Sequence, residues 1–327
     1  MRSILPALIV LLVAVTPVLA PTSQVLLTLA FAKGLAVLGI IVLLQAGQVS
    51  FGHALYFAVS AYVAASVARS FGGELVTTLL AGVAAAAVVG LVVGVFVVRY
   101  RYIFFAMLNL AVSMIFFALL EKFYYVTGGS DGLQVPRPTV VGLTLERGEF
   151  ETILFYGALV LSLLAAWGTH RYLASPLGNM LRAIKTNEVR LEYLGVSARS
   201  TLLSGYVLSA ALCGLGGALM AVAQGIVTPE YAYWVRSGEF VFIAILGGSG
   251  SVAGAFVGAL IYEGVRTYAA AFASDIWQMV LGIVLLVIII FGPSGVTGLY
   301  QRLMDRLVGP ARPRGAGDSE RAPGAAE

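Results

Sequence analysis

The feature that most constrains this chain is a series of long apolar runs that carry almost no charge. Residues 4–20, 76–98 and 276–291 are examples, and each approaches the ~20 residues that a helix needs to cross the hydrocarbon core of a bilayer. A buried helix of a water-soluble protein would show a polar face, which these runs lack. Charged residues make up only 11% of the sequence, so lipid must be the solvent for most of the surface. The sequence therefore predicts an all-α, polytopic transmembrane helical bundle.

Read in order, the apolar runs predict about nine membrane spans, with eight to ten allowed because the last third is irregular. The first run resembles a signal peptide, but Pro21 directly after Ala20 argues against cleavage, so we interpret it as a retained first helix. A short apolar stretch at residues 240–246 ends in a glycine-rich break and cannot cross a bilayer alone. The other runs lie at residues 25–46, 51–68, 76–98, 102–120, 152–169, 201–223, 252–270 and 276–292.

The basic residues indicate orientation rather than a nucleic-acid partner. The formal net charge is +4, but Lys and Arg are scattered between apolar runs and form no stripe with aromatic residues. With the N-terminus in the cytoplasm, most basic residues before residue 223 fall on the cytoplasmic side, as the positive-inside rule requires. Residues 309–327 are rich in Pro, Gly, Ala and charge, so we predict a disordered cytoplasmic tail there.

A polar segment at residues 175–196 separates two apolar runs on the predicted cytoplasmic side. Ser175 before Pro176 is a typical helix start and Gly195 a typical terminator, so we predict one surface helix of roughly five turns. Its charges keep it out of lipid, although one face is apolar. Such a helix either docks into a groove of another protein or lies on lipid headgroups, and these residues alone favour neither. The apolar face consists of Leu177, Leu181, Ile184 and Leu191.

Four segments of the chain are similar to one known family. Residues 175–219, SPLGNMLRAIKTNEVRLEYLGVSARSTLLSGYVLSAALCGLGGAL, resemble the cytoplasmic EAA-type loop and following helix of the branched-chain amino acid ABC transporter permeases, the LivH and LivM family. GQVSFGH at 47–53, VTGGSDGL at 126–133 and LGGSGSVAGAFVGA at 246–259 resemble further segments of that family in the same order, and they are closer to LivM than to LivH. The resemblance covers roughly residues 25 to 295 and implies an importer architecture with residues 1–308 as the transmembrane permease domain.

The resemblance also implies partners. They are a second, LivH-like permease, two ATP-binding subunits and a periplasmic solute-binding protein, all at a bacterial inner membrane. This chain has no GxxxxGK[ST] phosphate loop, so ATP and Mg²⁺ would bind the partner ATPase subunits and this chain would hold no cofactor. By resemblance the helix at residues 175–196 is the coupling helix, where Arg182 and Glu188 would form charge-assisted bonds to the ATPase subunit. The matching positions are Gly178, Arg182, Ala183, Asn187, Glu188, Leu194 and Gly195, whereas Leu191-Glu192-Tyr193 departs from the family pattern.

Three glycine-rich segments are candidates for the solute path, because polar groups inside a bilayer are costly and often functional. Each of them could instead hold a helix break or a turn. The third segment interrupts a membrane helix and is the preferred gate or pore-lining element, since irregular backbone at membrane depth must line a cavity or be buried in protein. The candidates are Gln48, Ser50 and His53; Thr127, Gly128 and Gly129, which open an external turn; and Gly247, Gly248 and Ser249.

The remaining polar residues of the spans are interpreted as structural. Lys33 lies within a span, and we expect its long side chain to reach the interface rather than to meet a carboxylate solute. Glu263 and Arg266 are one turn apart and are expected to pair. With two histidines and the single Cys213, no metal site is expected.

Three classes of function compete. An ABC importer permease for branched-chain amino acids leads, with other amino acids, short amides, urea or aromatic acids as further solutes. The alternative is an ion-gradient-driven secondary transporter, which is disfavoured because most acidic residues fall in predicted loops, with Glu263 as the main exception. A membrane-embedded enzyme is disfavoured because the sequence has no HExxH motif and no plausible Ser, His and Asp grouping.

Overall fold

The computed structural model describes residues 16, 23–70, 73–140, 142–272, 279, 282–283, 286–287, 290 and 295–299. The predicted tail and, apart from residue 16, the predicted first span therefore lie outside the described residues, and the run at 276–292 is described only at isolated positions. The described part is mainly helical, which confirms the all-α class. Its helices are α1 (Ser23–Gln45), α2 (Ala54–Ser70), α3 (Leu75–Val97), α4 (Tyr102–Lys122), α5 (Tyr124–Thr127), α6 (Arg147–Ala174), α7 (Pro176–Tyr193), α8 (Ala198–Gln224), α9 (Trp234–Gly247) and α10 (Val252–Phe272).

Within this described part, five helices are long and apolar enough to cross a membrane, namely α1, α3, α4, α6 and α8. Helices α9 and α10 meet at a bend of 112° and count as a sixth span only if they are one broken crossing. Helix α2 is apolar but has only 17 residues. The bounds of the long helices lie within a few residues of the predicted runs, and the total of nine spans stays a prediction.

Helix α8 lies at the centre of the bundle and packs against α1, α2 and α3. Small residues permit this, because membrane helices gain stability from close backbone approach rather than from expulsion of water. A Cβ atom at Gly217 would lie 2.1 Å from the carbonyl oxygen of Phe57, and one at Gly216 would lie 2.3 Å from that of Ala32. Helix α1 is buried along most of its length, whereas α3, α4 and α6 expose apolar side chains on the outside of the bundle, as lipid-facing helices do.

The two ends of the bundle differ. At one end, α7 lies across the bundle, and Lys185 packs on Gly47 just beyond the end of α1. At the other end, strand β1 (Leu133–Gln134) pairs antiparallel with β2 (Ile226–Val227) beyond the end of α8. The amide of Val135 also donates to the carbonyl of Gly225 at 2.9 Å. The loop that follows α4 is therefore fastened to the end of α8 that is farthest from α7.

Candidate functional site

The surface segment α7 is two helical pieces rather than one. Asn187 has an extended backbone, with φ −162° and ψ 99°, and its side-chain oxygen accepts the amide of Arg190 at 3.0 Å. Asn187 thus caps a second, short piece, which is the role that asparagine commonly takes before a helix start. The prediction of one uninterrupted helix is therefore wrong. The side chain of Asn187 replaces a backbone hydrogen bond of the helix, which allows the chain to change direction there.

Apolar residues of both pieces seat α7 on the bundle. Leu181, Ile184 and Leu191 are buried, and Leu181 packs against Gly205 of α8. Gly178 is required for this seating, because a Cβ atom there would lie 2.3 Å from the carbonyl oxygen of Leu173. Leu177, predicted on the same face, is 42% exposed. The apolar stripe therefore faces the protein itself and is not free to lie on lipid.

Two charged residues of α7, Glu188 and Arg182, are bonded within the chain. Both carboxylate oxygens of Glu188 accept from the guanidinium of Arg101, at 2.6 and 2.8 Å, and this pair ties α7 to the turn between α3 and α4. Arg182 donates to the carbonyl of Leu173 at 2.8 Å and to the side chain of Asn179 at 3.1 Å. The predicted bonds of Arg182 and Glu188 to another subunit stay a prediction.

The second piece of α7 leaves apolar side chains exposed at its tip. Val189, Tyr193 and Leu194 are 60%, 87% and 75% exposed, and we call these three residues the tip patch. Gly195 ends the segment in a left-handed conformation, φ 80°, with open space around it. Of the other predicted coupling residues, Ala183 is partly buried and Asn187 is exposed.

A buried hydrogen-bond network surrounds His53 at the start of α2. The hydroxyl of Ser209 donates to the carbonyl of Gly39 at 2.7 Å and lies 2.7 Å from Nε2 of His53. Because the single hydroxyl proton of Ser209 is used there, Nε2 carries the imidazole proton and donates to Ser209. Nδ1 then accepts from Ser50, 2.7 Å away. The histidine is thus a neutral link between the break after α1 and the central helix α8.

Separate hydrogen bonds beside this network reach α4, and the ring of Tyr56 contacts that of His53 edge-on, with the centroids 5.2 Å apart. The hydroxyls of Tyr56 and Tyr206 are 2.7 Å apart, and that of Tyr206 also donates to Asn109. The side-chain oxygen of Gln48 accepts the amide of Tyr102 at 2.9 Å. Two roles were left open for Gln48, Ser50 and His53, and their contacts support the first, in which they stabilise a helix break. Their contact with solute stays a prediction. The sequence reasoning missed Ser209, Tyr206 and Asn109, although each is a polar residue within an apolar run.

A second buried cluster consists of ion-paired side chains from α1, α9 and α10. The Nζ atom of Lys33 lies 2.5 Å from Glu239 and 2.6 Å from Glu263. Arg236 pairs with Glu239 at 2.8 Å, and Arg266 with Glu263 at 3.6 Å. We call these five residues the ion cluster. The predicted Glu263–Arg266 pair is present, but Glu263 lies closer to Lys33.

The predicted excursion of Lys33 to the interface is wrong. Lys33 is 1% exposed and is the eleventh of the 23 residues of α1, so both ends of the helix are about 15 Å away, beyond the reach of a lysine side chain. Two carboxylates hold it instead. Glu239 was missed because the apolar stretch recognised in the sequence begins one residue later, at Phe240.

The crossing of α9 and α10 is built on glycines. A Cβ atom at Gly247 would lie 1.8 Å from the carbonyl oxygen of Gly254, and one at Gly258 would lie 2.4 Å from that of Ile243. The turn between the helices contains the predicted break, and the side chain of Gln45 donates to the carbonyl of Ser249 at 3.1 Å. Gly247 and Gly248 are buried and Ser249 is exposed, and a role of these residues as a gate stays a prediction.

Substitution at this crossing has a predictable cost. Gly247→Ala should destabilise the folded protein by about 1–3 kcal/mol, because the new methyl group would overlap backbone atoms that cannot rotate away. Gly250→Ala is the matched control, since Gly250 lies in the same turn with nothing within 4 Å. The check is thermal unfolding of both variants in detergent, and equal unfolding temperatures would contradict the close crossing.

A cavity of about 880 Å³ lies between α1, α6 and α10. It is mostly apolar and reaches from Phe31 and Ser162 to His170 and to Arg182 of α7. Gly250 and Ser251 of the glycine-rich turn also line it. Among the residues described, no group of three or more His, Cys, Asp or Glu side chains is placed to hold a metal ion.

The predicted external turn after α4 is closed on itself. The hydroxyl of Thr127 donates to the carbonyl of Leu120 at 2.6 Å and accepts the amide of Gly129 at 3.2 Å. Gly128 and Gly129 both have positive φ, 74° and 51°, which explains why glycines occupy them. The turn is held by its own hydrogen bonds, and its contact with solute stays a prediction.

Together these features define a multi-pass helical membrane protein with a surface segment seated at one end and buried polar clusters inside the bundle. The chain belongs to the family of permease components of branched-chain amino acid transport systems, which matches residues 24–289. This family is one of membrane permeases rather than enzymes.

The curated relatives carry names from the same kind of system. The chain is 30% identical over 272 residues to the high-affinity branched-chain amino acid transport system permease protein LivM of Escherichia coli, a match that covers 76% of this chain and 64% of the relative. It is 24% identical over 277 residues to a probable branched-chain amino acid transport permease protein LivH of Methanocaldococcus jannaschii, covering 79% of this chain and 86% of the relative. No solved structure matches the chain.

Proposed function

We propose that this chain is the transmembrane permease subunit of an ATP-driven importer for branched-chain amino acids or a related small polar solute. The family and the names of the relatives support this class of solute. The observation that carries the ATP-driven mechanism is α7. It is a surface segment seated on the bundle through its own apolar stripe, yet it ends in the exposed tip patch of Val189, Tyr193 and Leu194.

The tip patch is the proposed docking point for an ATP-binding subunit. A helix that rests on lipid headgroups turns its apolar stripe toward the lipid, but here the bundle covers that stripe. An exposed tyrosine and leucine at the tip suit insertion into a protein groove, where aromatic and aliphatic anchors contribute most of the binding energy. The predicted coupling residues between Gly178 and Gly195 would then determine the shape of α7 and its position on the bundle. Glu188 would do so through its bonds to Arg101.

The complete importer would contain further subunits. We propose a second, LivH-like permease beside this chain, two ATP-binding subunits at the α7 end and a periplasmic solute-binding protein at the opposite end, in a bacterial inner membrane. ATP and Mg²⁺ would bind the ATP-binding subunits, since this chain contains no phosphate loop. The hydrogen-bonded turn around Thr127 lies at the end opposite α7 and is the proposed contact for the binding protein.

One observation favours a second candidate, an ion-gradient-driven transporter. Buried carboxylates are the groups that couple proton or sodium movement to transport. The part of the bundle that the structure describes holds two, Glu239 and Glu263, whereas the sequence indicated mainly Glu263. Both are ion-paired to Lys33, which argues for a structural role and keeps this candidate second.

Uptake by whole cells separates the two mechanisms. Deletion of the chain should abolish uptake of labelled leucine by this system, and ATP depletion should do the same while collapse of the proton gradient leaves most uptake intact, because the energy enters through a partner ATPase. A panel of short amides, urea and aromatic acids identifies the solute if leucine is not carried. Uptake that survives ATP depletion but fails on collapse of the gradient would establish the second candidate instead.

A further inference from the structure

Within the described part of the chain, the cavity between α1, α6 and α10 is a groove with an open side. Helices α6 and α10 both pack along α1 but hardly touch each other, so α1 forms the floor and a gap remains between the two walls. Leu163 of α6 and Leu260 of α10 line the cavity and are 43% and 40% exposed. Leucine side chains exposed at membrane depth are suited to contact with lipid chains, which are as apolar as they are. The groove therefore opens sideways, toward the membrane.

One end of the groove is polar and lies at the level of the membrane surface. Apart from Ser162, the polar side chains that line the cavity are at the end where α7 lies, which is the predicted cytoplasmic side. On α6 the nearby Trp167 is 66% exposed, and the guanidinium of Arg171 lies 6.0 Å from the centre of its ring. An exposed tryptophan beside a basic residue is typical of the headgroup level of a bilayer. The polar lining residues at this end are Gln45, His170, Asn179, Arg182 and Ser251.

Arg182 gives the polar end a positive charge that its neighbours do not neutralise. Its guanidinium donates to the carbonyl of Leu173 at 2.8 Å and to the side-chain oxygen of Asn179 at 3.1 Å, and both acceptors are neutral. A guanidinium has five N–H donors, so others are left for a ligand. Among the described residues that line the cavity, none is Asp or Glu. A phosphate group is the natural complement of such a site.

The rest of the groove is apolar and long enough for a lipid chain. Along α6 it extends eleven residues back from His170 to Leu159, or about 16 Å, and along α1 it extends from Gln45 to Leu27, or about 27 Å. The hydrocarbon of one leaflet is about 15 Å deep, half of the bilayer core. A free amino acid suits the groove less well, because no described lining residue is a carboxylate that could receive its ammonium group.

We propose that this groove binds an anionic phospholipid of the cytoplasmic leaflet, with the phosphate at Arg182 and one acyl chain on α1 between α6 and α10. The cytoplasmic leaflet is negatively charged, and basic pockets between membrane helices on that side bind anionic headgroups. The lipid would join α7 to the three helices beneath it and so stabilise the position of the surface segment. The proposal concerns the lipid and not the solute, so it does not rest on the proposed function.

Competition between two lipids tests the headgroup. The full-length chain, with the subunits that accompany it, is purified in mild detergent with equal amounts of phosphatidylglycerol and phosphatidylcholine that carry the same acyl chains, and the retained lipid is measured by mass spectrometry. We expect the wild type to retain phosphatidylglycerol about fivefold over phosphatidylcholine, and Arg182→Gln to lose most of this preference. Arg182→Lys should keep it, because the charge remains.

The control is Arg190→Gln, which removes the same charge from an exposed position of α7 that does not line the groove. It should retain the wild-type preference. No preference for phosphatidylglycerol in the wild type would overturn the proposal. A preference that is unchanged in Arg182→Gln, or equally reduced in Arg190→Gln, would overturn the role of Arg182 as the phosphate site.

A photoreactive lipid tests the position of the acyl chain. Phosphatidylglycerol with a diazirine in one acyl chain, irradiated in membranes that contain the full-length chain, should crosslink to Ala30 and Phe31 on the floor of the groove. Ala30 is 4% exposed, so lipid outside the groove does not reach it. Val92, on the outer face of α3, reports ordinary lipid contact. Ala166→Trp, which fills the groove, should remove the crosslinks on α1 and leave those at Val92.

The wild-type chain decides this second test even if Ala166→Trp fails to fold. Crosslinks at Val92 without any on α1 would overturn the proposal, because protein rather than lipid would then cover the groove. Crosslinks on α1 that are equally strong with photoreactive phosphatidylcholine would overturn the selection of an anionic headgroup.

Discussion

Lys33→Met should destabilise this protein more than any other substitution of a single charge. Glu239 and Glu263 both lie within 2.6 Å of the lysine Nζ atom, at membrane depth, and the substitution would leave two carboxylates facing each other without the cation between them. Breaking a buried ion pair by removing one partner costs about 3–5 kcal/mol. We expect the thermal unfolding temperature in detergent to fall clearly and the yield of folded protein from membranes to fall at least tenfold.

Two variants separate charge from shape in this experiment. Lys122→Met is the matched control, because Lys122 is exposed at the end of α4 and its loss should change stability by at most about 0.5 kcal/mol. Lys33→Met combined with Glu263→Gln should recover at least half of the lost stability, since it removes one of the two facing carboxylates. If Lys33→Met is as stable as Lys122→Met, the ion cluster does not hold α1, α9 and α10 together.

Arg101→Glu should uncouple the surface segment from the bundle. The two charge-assisted bonds to Glu188 are the contact between α7 and the turn before α4, and replacing the arginine sets two carboxylates against each other. Loss of about 2 kcal/mol at this contact corresponds to a roughly 30-fold shift in the population of correctly seated α7. We expect ATP-dependent uptake to fall at least tenfold, with the amount of protein in the membrane within twofold of the wild type.

Exchanging Arg101 and Glu188 tests whether the ion pair between them is what matters. Arg101→Glu with Glu188→Arg restores an ion pair of reversed polarity and should bring uptake to within about threefold of the wild type. Arg99→Glu makes the same charge change two residues away, at an exposed position, and should have little effect. A double variant no better than Arg101→Glu alone would show that the arginine acts through its bonds to the carbonyls of Val98 and Tyr100 instead.

The ion cluster and the His53 network give the bundle two different kinds of polar interior. The His53 network has matched hydrogen-bond donors and acceptors, and no side chain in it needs a charge. Such a network specifies one arrangement of α1, α2 and α8 and has no evident use for a ligand. The ion cluster consists of charged side chains, and two of them, Arg236 and Arg266, are partly exposed.

Several features of this protein were determined by the sequence alone, because they depend on residues that are close together in the chain. The long helices follow from the length and polarity of the apolar runs, and α8, predicted at residues 201–223, was found at Ala198–Gln224. The polar surface helix was predicted from its start signal at Ser175-Pro176 and from its charges. The family could be recognised from four short segments, since glycines and turn residues keep their spacing along the chain.

Only the tertiary structure decided where the polar side chains go. Lys33 has no partner within its own helix, and both of its carboxylates are more than two hundred residues away in the sequence. Glu188 and Arg101 are 87 residues apart and His53 and Ser209 are 156 apart, and each pair is likewise brought together from separate parts of the chain. An unpaired charge in a membrane is costly, so folding brings opposite charges together even when they are far apart in the sequence. Local hydropathy therefore does not indicate which charges will pair.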